Sequence, residues 1–353
     1  MHIPDGYLSP ASCALAYGVA LPFWLIACRR LKRRLHTRLL PQLALFSAFC
    51  FVLMMFNLPL PGGTTGHAVG MAIAAIVLGP WAALLAVSVA LLIQAVFFGD
   101  GGITTLGANC LNMAIVGSFV AYGSYRLLAG RSAPDALRRV FAAGVAGYLG
   151  INASALLAAI EFGIQPLFFH DAAGTPLYAP YPLSVAVPAM MIGHLGPAGI
   201  AELVVSAGLV AYLRRSSPEL LGGMQIEPAV ARKTPRGLWY TLAVLMIASP
   251  LGLVAAGTAW GEWGAMDFQD TAARQAISQA SANIAPPAQV PAGLARLAEF
   301  WTAPMPDYAP TFMHSAGFGY VMSAFLGVGI ILLAYLLISR FAGGPRRALD
   351  PYR

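Results

Sequence analysis

Nine runs of apolar residues, separated by short polar or basic stretches, dominate the 353-residue chain. They cover approximately residues 11–28, 41–58, 68–80, 81–98, 106–128, 139–162, 183–213, 237–256 and 316–339. Most approach the ~20 residues a helix needs to cross the hydrocarbon of a bilayer. The stretch 68–98 reads either as one long helix or as two short ones broken at Gly79-Pro80.

Composition turns these runs into a fold class. Hydrophobic residues make up 58% of the chain and charged residues only 10%, against about 25% charged in soluble domains. The expectation is an all-α, polytopic membrane protein of about nine transmembrane helices. Cys13, Cys28, Cys50 and Cys110 stand singly inside apolar runs and read as small hydrophobes, neither disulfides nor ligands. The net charge of +7 comes from short basic clusters between the runs, the pattern of cytoplasmic loops rather than of nucleic-acid binding. Splitting 68–98 into two helices puts the loop with Arg131, Arg138 and Arg139 on the same side as the cluster Arg29-Arg30-Leu31-Lys32-Arg33-Arg34. The amino terminus is then outside and the carboxyl terminus cytoplasmic, with only Arg274 and Arg296 of all the basic residues facing out. No positive charge precedes the first run and a strong cluster follows it, so it reads as an anchor rather than a signal peptide.

The outward start, Met1-His2-Ile3-Pro4-Asp5-Gly6-Tyr7, carries the candidate chemistry. A free terminal amine, the amide nitrogen of residue 2 and the His2 imidazole can close two small chelate rings around one ion. One in-plane position remains for another imidazole, and four nitrogens in a plane suit Ni(II) or Cu(II). Pro4 has no N–H with which to continue wrapping an ion, and Pro-Asp-Gly is a turn sequence. The bland alternative is a solvated histidine near a terminus. The loop Asn57-Leu-Pro-Leu-Pro-Gly-Gly-Thr-Thr-Gly-His67 lies on the same outer side, and His67 is the candidate for the fourth nitrogen. Irregular backbone of this kind at membrane depth is tolerated only when buried in protein or lining a cavity. A third irregular segment, Phe98 to Asn109, enters a helix in which Asn109 and Asn112 share a face at i, i+3. They either tie helices together or orient His67.

Three ordered stretches carry a resemblance: Met-His-Ile-Pro-Asp-Gly-Tyr-Leu-Ser-Pro, Pro-Gly-Gly-Thr-Thr-Gly-His67 and Gly-Asp-Gly-Gly-Ile-Thr-Thr-Leu-Gly-Ala-Asn. Together they resemble the signatures of the CbiM/NikM family, the substrate-binding membrane components of energy-coupling-factor nickel and cobalt transporters, over roughly residues 1–215. The resemblance implies an ion, Ni2+ or Co2+, held by the Met1 amine, the His2 backbone nitrogen and imidazole, and the His67 imidazole. Some cobalt members resemble Met-His-Ile-Met-Glu-Gly with a Ser-Cys-Ser-His-Pro loop; the present pattern leans towards nickel without deciding. Binding has to displace protons from the amine and a backbone amide, so affinity should fall in acid. Copper would bind at least as tightly by the Irving–Williams order. The bulky His2 disfavours removal of Met1.

Further polar residues lie deeper or further along. His194 and Glu202, eight residues apart across Pro197, are either a structural pair or part of an ion path. Glu161 and His170 read as interfacial and His36 as solvated. Ala14 with Gly18, and Ala16 with Ala20, give the first helix the small-residue spacing that permits close helix approach, a candidate face for the coupling partner.

Residues 216–236 read as a cytoplasmic linker, and residues 237–353 as a second unit of one helix, an outer segment of about 60 residues and a final helix. The outer segment holds the extended Ala-Pro-Pro-Ala-Gln-Val-Pro, flanked by alanine-rich stretches suited to short surface helices. Ser-Pro-Leu-Gly-Leu followed by Gly-Thr-Ala-Trp-Gly-Glu-Trp resembles the NikN/CbiN-type accessory component, which implies a part in loading or releasing metal. Glu262, Asp267, Asp270 and His314 form a solvated acidic loop or a cation collector. The sequence has no Gly-Lys-Ser/Thr phosphate loop and only two lysines, Lys32 and Lys233, so it cannot bind ATP by a P-loop. The expected function is substrate capture in an ATP-driven importer, the ATPase and the transmembrane coupling (T) component being separate proteins. A metal-dependent enzyme would need an open coordination position and a nearby base; a metal-gated sensor or scaffold is the remaining alternative.

Overall fold

The computed structural model describes residues 1–32, 39–222, 236–255, 257–298, 300–309 and 312–342. His36 and most of the expected linker lie outside the described residues.

Seven helical stretches are long and apolar enough to cross a membrane. They are built on α1 (Pro10–Lys32), α4 (Pro80–Ile93), α6 (Ser118–Ala129), α7 (Leu137–Gly163) with the short α8 (Gln165–Phe168), α9 (Leu183–Gly193) with α10 (Gly199–Ser216), α11 (Arg236–Ala248) and α14 (Ala316–Ala342). Two apolar runs form shorter helices, α2 (Leu39–Met54) and α3 (Met71–Leu78). At 1.5 Å per residue α3 is only about 12 Å long, well short of the ~30 Å hydrocarbon thickness of a bilayer. The break at Gly79-Pro80 is real: Gly79 has φ 83°, outside helical space, and Pro80 opens α4. Helices apolar on every side belong in the interior. Accordingly all eight residues of α3 are buried, whereas α1 buries only Cys13, Ala16, Ala20, Ala27 and Leu31 and lies at the edge.

Contacts between antiparallel neighbours sort the charges to one end. Trp24 Nε1 donates to Ser88 Oγ at 3.0 Å, and the Arg30 guanidinium lies 4.5 Å from the Trp81 ring centre, pairing the end of α1 with the start of α4. Arg139 donates to the Leu221 carbonyl at 2.8 Å and Arg214 to the Asp135 carbonyl at 3.1 Å. Arg274, at the opposite end, is spent on the carbonyls of Phe268, Pro286 and Pro287.

That opposite end holds the amino terminus and a two-stranded antiparallel ribbon, β1 (Leu58–Leu60) with β2 (Thr64–Gly66), in which Pro59 opposes Thr65. It also holds the loop 99–105, and over these the second unit folds as a cover. The cover contains α12 (Thr271–Ala280) and α13 (Ala292–Leu297), the short helices expected of its alanine-rich stretches. Its aromatic core docks on the first unit, with Trp260 edge-on to Phe162 at 5.8 Å and the Trp263 carbonyl accepting from Tyr7 Oη at 2.7 Å.

Candidate metal centre

The chain's first residues are buried, which is unusual for a terminus: Met1 is 2% exposed, His2 1% and Ile3 0%. What holds them there is a set of backbone and side-chain bonds to the loop 99–105 and the start of α5 (Leu106–Asn109). Ile3 N donates to Asn109 Oδ1 at 2.8 Å, and its carbonyl accepts from Asn109 Nδ2 at 3.1 Å, from Gly102 N at 2.9 Å and from Thr105 Oγ1. Asp5 accepts from the amides of Ile103 at 3.1 Å and Thr104 at 2.7 Å, and from Thr104 Oγ1. A Cβ on Gly102 would stand 2.4 Å from Asp5 N. Only glycine lets the two strands of chain approach this closely.

Behind this clamp two ring nitrogens come together. His2 Nδ1 lies 3.2 Å from His67 Nε2. His67 Nδ1 donates to the Ala68 carbonyl at 3.1 Å, which fixes the tautomer and turns the Nε2 lone pair towards His2. Among the described residues no group of three or more His, Cys, Asp or Glu side chains is disposed to hold an ion. Burial lowers the His2 pKa to about 4 and lowers that of His67 as well. Both rings are neutral at pH 7, the state in which imidazole binds metal.

Two carboxylates border the nitrogens. Asp100 Oδ1 lies 3.1 Å from His2 Nδ1, and Glu262 Oε1, from the cover, lies 3.3 Å from the Met1 ammonium. A buried ammonium needs such a counter-charge. Burial raises the Glu262 carboxyl above its ordinary value, against the pull of the terminal ammonium. Both side chains are partly exposed, Asp100 at 17% and Glu262 at 21%, whereas His2 and Met1 are buried. Glu262 thus stands apart from the other acids of its loop. Asp267 caps the turn at Gly264, and Asp270 caps α12 through Ala273 N at 2.7 Å. His314 is exposed.

Several expected relationships are differently arranged. Asn109 holds the Ile3 backbone rather than His67. Asn112, in the stretch Cys110–Gly117 where the helix takes π geometry, donates to Glu161 Oε2 at 2.6 Å and so ties its helix to α7. His194 and Glu202 do not pair. Pro197 and the non-helical Gly196 redirect the chain between them, leaving His194 Nδ1 bonded to its own helix at Met190 O, 2.8 Å. Glu202 instead accepts from Val69 N at 2.7 Å, Gly70 N at 2.9 Å and Ala72 N at 3.5 Å, capping α3 directly behind His67. On α1, Ala16 and Ala20 are buried inside the chain and cannot form an external docking face, while Ala14 and Gly18 remain exposed. His170 is exposed and Glu161 half-buried. Sequence reasoning did not single out Asp100, Gln94 or Tyr308. The only signal was the position of Asp100 within Gly-Asp-Gly-Gly.

Residues 2–220 match the family described as "Cobalt uptake substrate-specific transmembrane region", and residues 236–343 match the PDGLE domain. The chain belongs to this cobalt-uptake (CbiM) family. It is 59% identical, over 99% of its own length and 100% of the relative's, to the "Fused nickel transport protein NikMN" of Rhodobacter capsulatus. It is 41% identical, over 94% and 96% of the two chains, to the "Probable fused nickel transport protein LarMN" of Lactiplantibacillus plantarum. A crystal structure described as a truncated transition metal transporter superposes on 61% of this chain and 99% of its own, with a TM-score of 0.57 and 50% identity. The chain is therefore a metal-uptake component, a multi-pass protein of the plasma membrane with a family M-type region followed by an N-type one.

Proposed function

We propose that this CbiM-family chain captures Ni2+ for an energy-coupling-factor importer. The ion sits in a plane of four nitrogens: the Met1 amine, the His2 amide nitrogen, His2 Nδ1 and His67 Nε2. The observation that carries the reading is the 3.2 Å approach of the two imidazole nitrogens beside a buried terminal amine. Nickel is favoured over cobalt because the relatives matching both regions at full length are named for nickel, and because a square plane of nitrogens suits Ni(II). Residues 1–215 form the capture domain, 216–236 a cytoplasmic linker and 237–353 the accessory domain. The chamber faces outwards, since the opposite end carries the basic residues that remain in the cytoplasm. Driving force comes from partners, a transmembrane coupling component and separate ATPases.

Purified protein with its native terminus, titrated with Ni2+ and Co2+, tests the site against a version extended by two amino-terminal residues and against His67→Ala. Both changes should abolish tight binding and the planar-nitrogen absorption band. An extended protein that binds as well as the native one overturns the reading. Tight binding without uptake, with all partners present, would instead make the chain a sensor or scaffold.

A further inference from the structure

Between α13 and α14 the accessory domain runs a strap, Phe300-Trp-Thr-Ala-Pro-Met-Pro-Asp-Tyr308, across one end of α4. Hydrogen bonds to the π turn Gln94–Phe98, which closes the apolar span Pro80–Phe98, set its height. Trp301 Nε1 donates to Val96 O at 2.8 Å and Met305 N to Phe97 O at 2.9 Å. Tyr308 stacks on Phe98 at 4.9 Å, accepts from Gln94 Nε2 at 2.9 Å and donates to Asp100 Oδ2 at 2.5 Å. The strap is pinned to the last turn of a membrane span.

At that height two large side chains stay uncovered, Phe300 at 59% and Trp301 at 45% exposure. The Trp301 N–H is already spent on Val96, and Phe300 has no polar atom in its side chain, so only apolar ring surface faces outwards. Leu92, one turn earlier on α4, is exposed too, and the chain leads on into α14, where Phe318 and Phe325 are exposed. The two rings stand where this lipid-facing surface reaches the end of the span. The backbone suits a partly dry setting. Pro304 and Pro306 lack an N–H, and the amide between them, that of Met305, is paired with Phe97 O. These three residues offer no free donor that lipid would leave unsatisfied. From 300 to 313 the only charged residue is Asp307.

We infer that Phe300 and Trp301 are an interfacial anchor whose rings enter the phospholipid leaflet at the boundary of headgroups and acyl chains, the depth at which aromatic side chains gather. That leaflet is the outer one under the orientation proposed above; the inference rests on that reading for the name of the leaflet alone. The anchor ties the accessory domain to the bilayer beside the candidate metal centre. Through Tyr308 it sets the position of Asp100, whose other oxygen lies 3.1 Å from His2 Nδ1.

The test places full-length protein in nanodiscs of phosphatidylethanolamine and phosphatidylglycerol, with a nitroxide at Phe300→Cys or, as a water reference, at Gln275→Cys on the exposed face of α12. Both are made in a Cys28→Ser background, because Cys13, Cys50 and Cys110 are buried. Power-saturation spectra compare collisions with oxygen, which concentrates in lipid, and with chromium oxalate, which stays in water. The Phe300 label should favour oxygen several-fold more than the Gln275 label does. A Phe300 label as open to chromium oxalate as the reference overturns the inference. So does one shielded from both agents, which would mean that a second copy of the chain covers the patch. A further arm leaves the cysteines native. The emission lost between wild type and Trp301→Phe should be quenched by lipids brominated high on the acyl chain, and equal emission in brominated and plain lipid overturns the anchor. Phe300→Asn should also speed hydrogen exchange at the Met305 amide several-fold, whereas unchanged exchange would show that the rings hold nothing in place.

Discussion

His2 Nδ1 and His67 Nε2 lie 3.2 Å apart although 65 residues separate them in the chain. One ring comes from the chain's first turn, the other from the segment between a β-ribbon and α3. Each is held by its own support, the Ile3–Asn109 pairing on one side and the Glu202 cap on the other. The site is therefore only as good as the registration of two independent clamps.

Gly102→Ala should disable the first clamp. The new methyl would stand 2.4 Å from both Asp5 N and Asp5 Oδ1, neither of which can move without releasing the tip. Calorimetry should show Ni2+ affinity reduced at least about 100-fold, since misplacement of a preorganised site by about 1 Å has costs of this order. The transmembrane bundle should melt as in wild type. Near-normal affinity would show that the close approach of these two segments is unimportant.

The second clamp is tested at Glu202. Its carboxylate accepts backbone N–H groups at the start of α3, and Glu202→Ala leaves those buried donors unpaired at about 1–3 kcal/mol. Glu202→Gln keeps one acceptor oxygen and should fall between. Thermal melting in detergent checks the order wild type, Gln, Ala, and Ni2+ affinity should follow the same order through His67. Equal melting of all three would remove Glu202 from this role.

Proton competition fixes the pH profile. Forming the plane displaces one proton from the terminal ammonium and one from the His2 amide, so affinity should fall about 100-fold per pH unit below neutrality. The imidazoles add nothing until far lower pH, because burial lowers both pKa values, that of His2 to about 4. Titrations between pH 7 and 5 should give a constant slope near two protons per ion; steepening below pH 6.5 would mean rings open to water. The same shifts act on stability. Unfolded chain protonates these rings below about 6.5 and the folded site does not. Stability is thus full above that value and declines as pH falls towards the His2 pKa of about 4.

Glu262→Ala removes the counter-charge of the buried Met1 ammonium, 3.3 Å away. The terminus should then detach more often, and an amine-reactive reagent should label Met1 several-fold faster in the ion-free protein. Peptide mapping resolves this easily, since Lys32 and Lys233 are the chain's only lysines. Unchanged labelling would place the hold on the terminus entirely with Ile3 and Asp5.

The apolar helices, the break at Gly79-Pro80 and the short helices of the cover were legible because each is a local property: run length, a missing N–H, alanine content. The pairing of the amino terminus with His67 was legible too, through donor chemistry and the matching signatures. Asp100, Gln94 and Tyr308 were not, for their roles exist only where a π turn meets the accessory domain. Of the two roles open to Asn112, tying helices together is the one observed, through its bond to Glu161.

The sequence by itself determined that the chain crosses a membrane and where its basic residues cluster along the chain, since these follow from composition. Only the tertiary structure decided that Glu202 caps α3 instead of pairing with His194, that Ala16 and Ala20 face inwards, and that Glu262 reaches back to Met1 across 261 residues. Such partnerships are set by which buried donors and charges remain unsatisfied once the helices have packed, and no local pattern in the chain records that remainder.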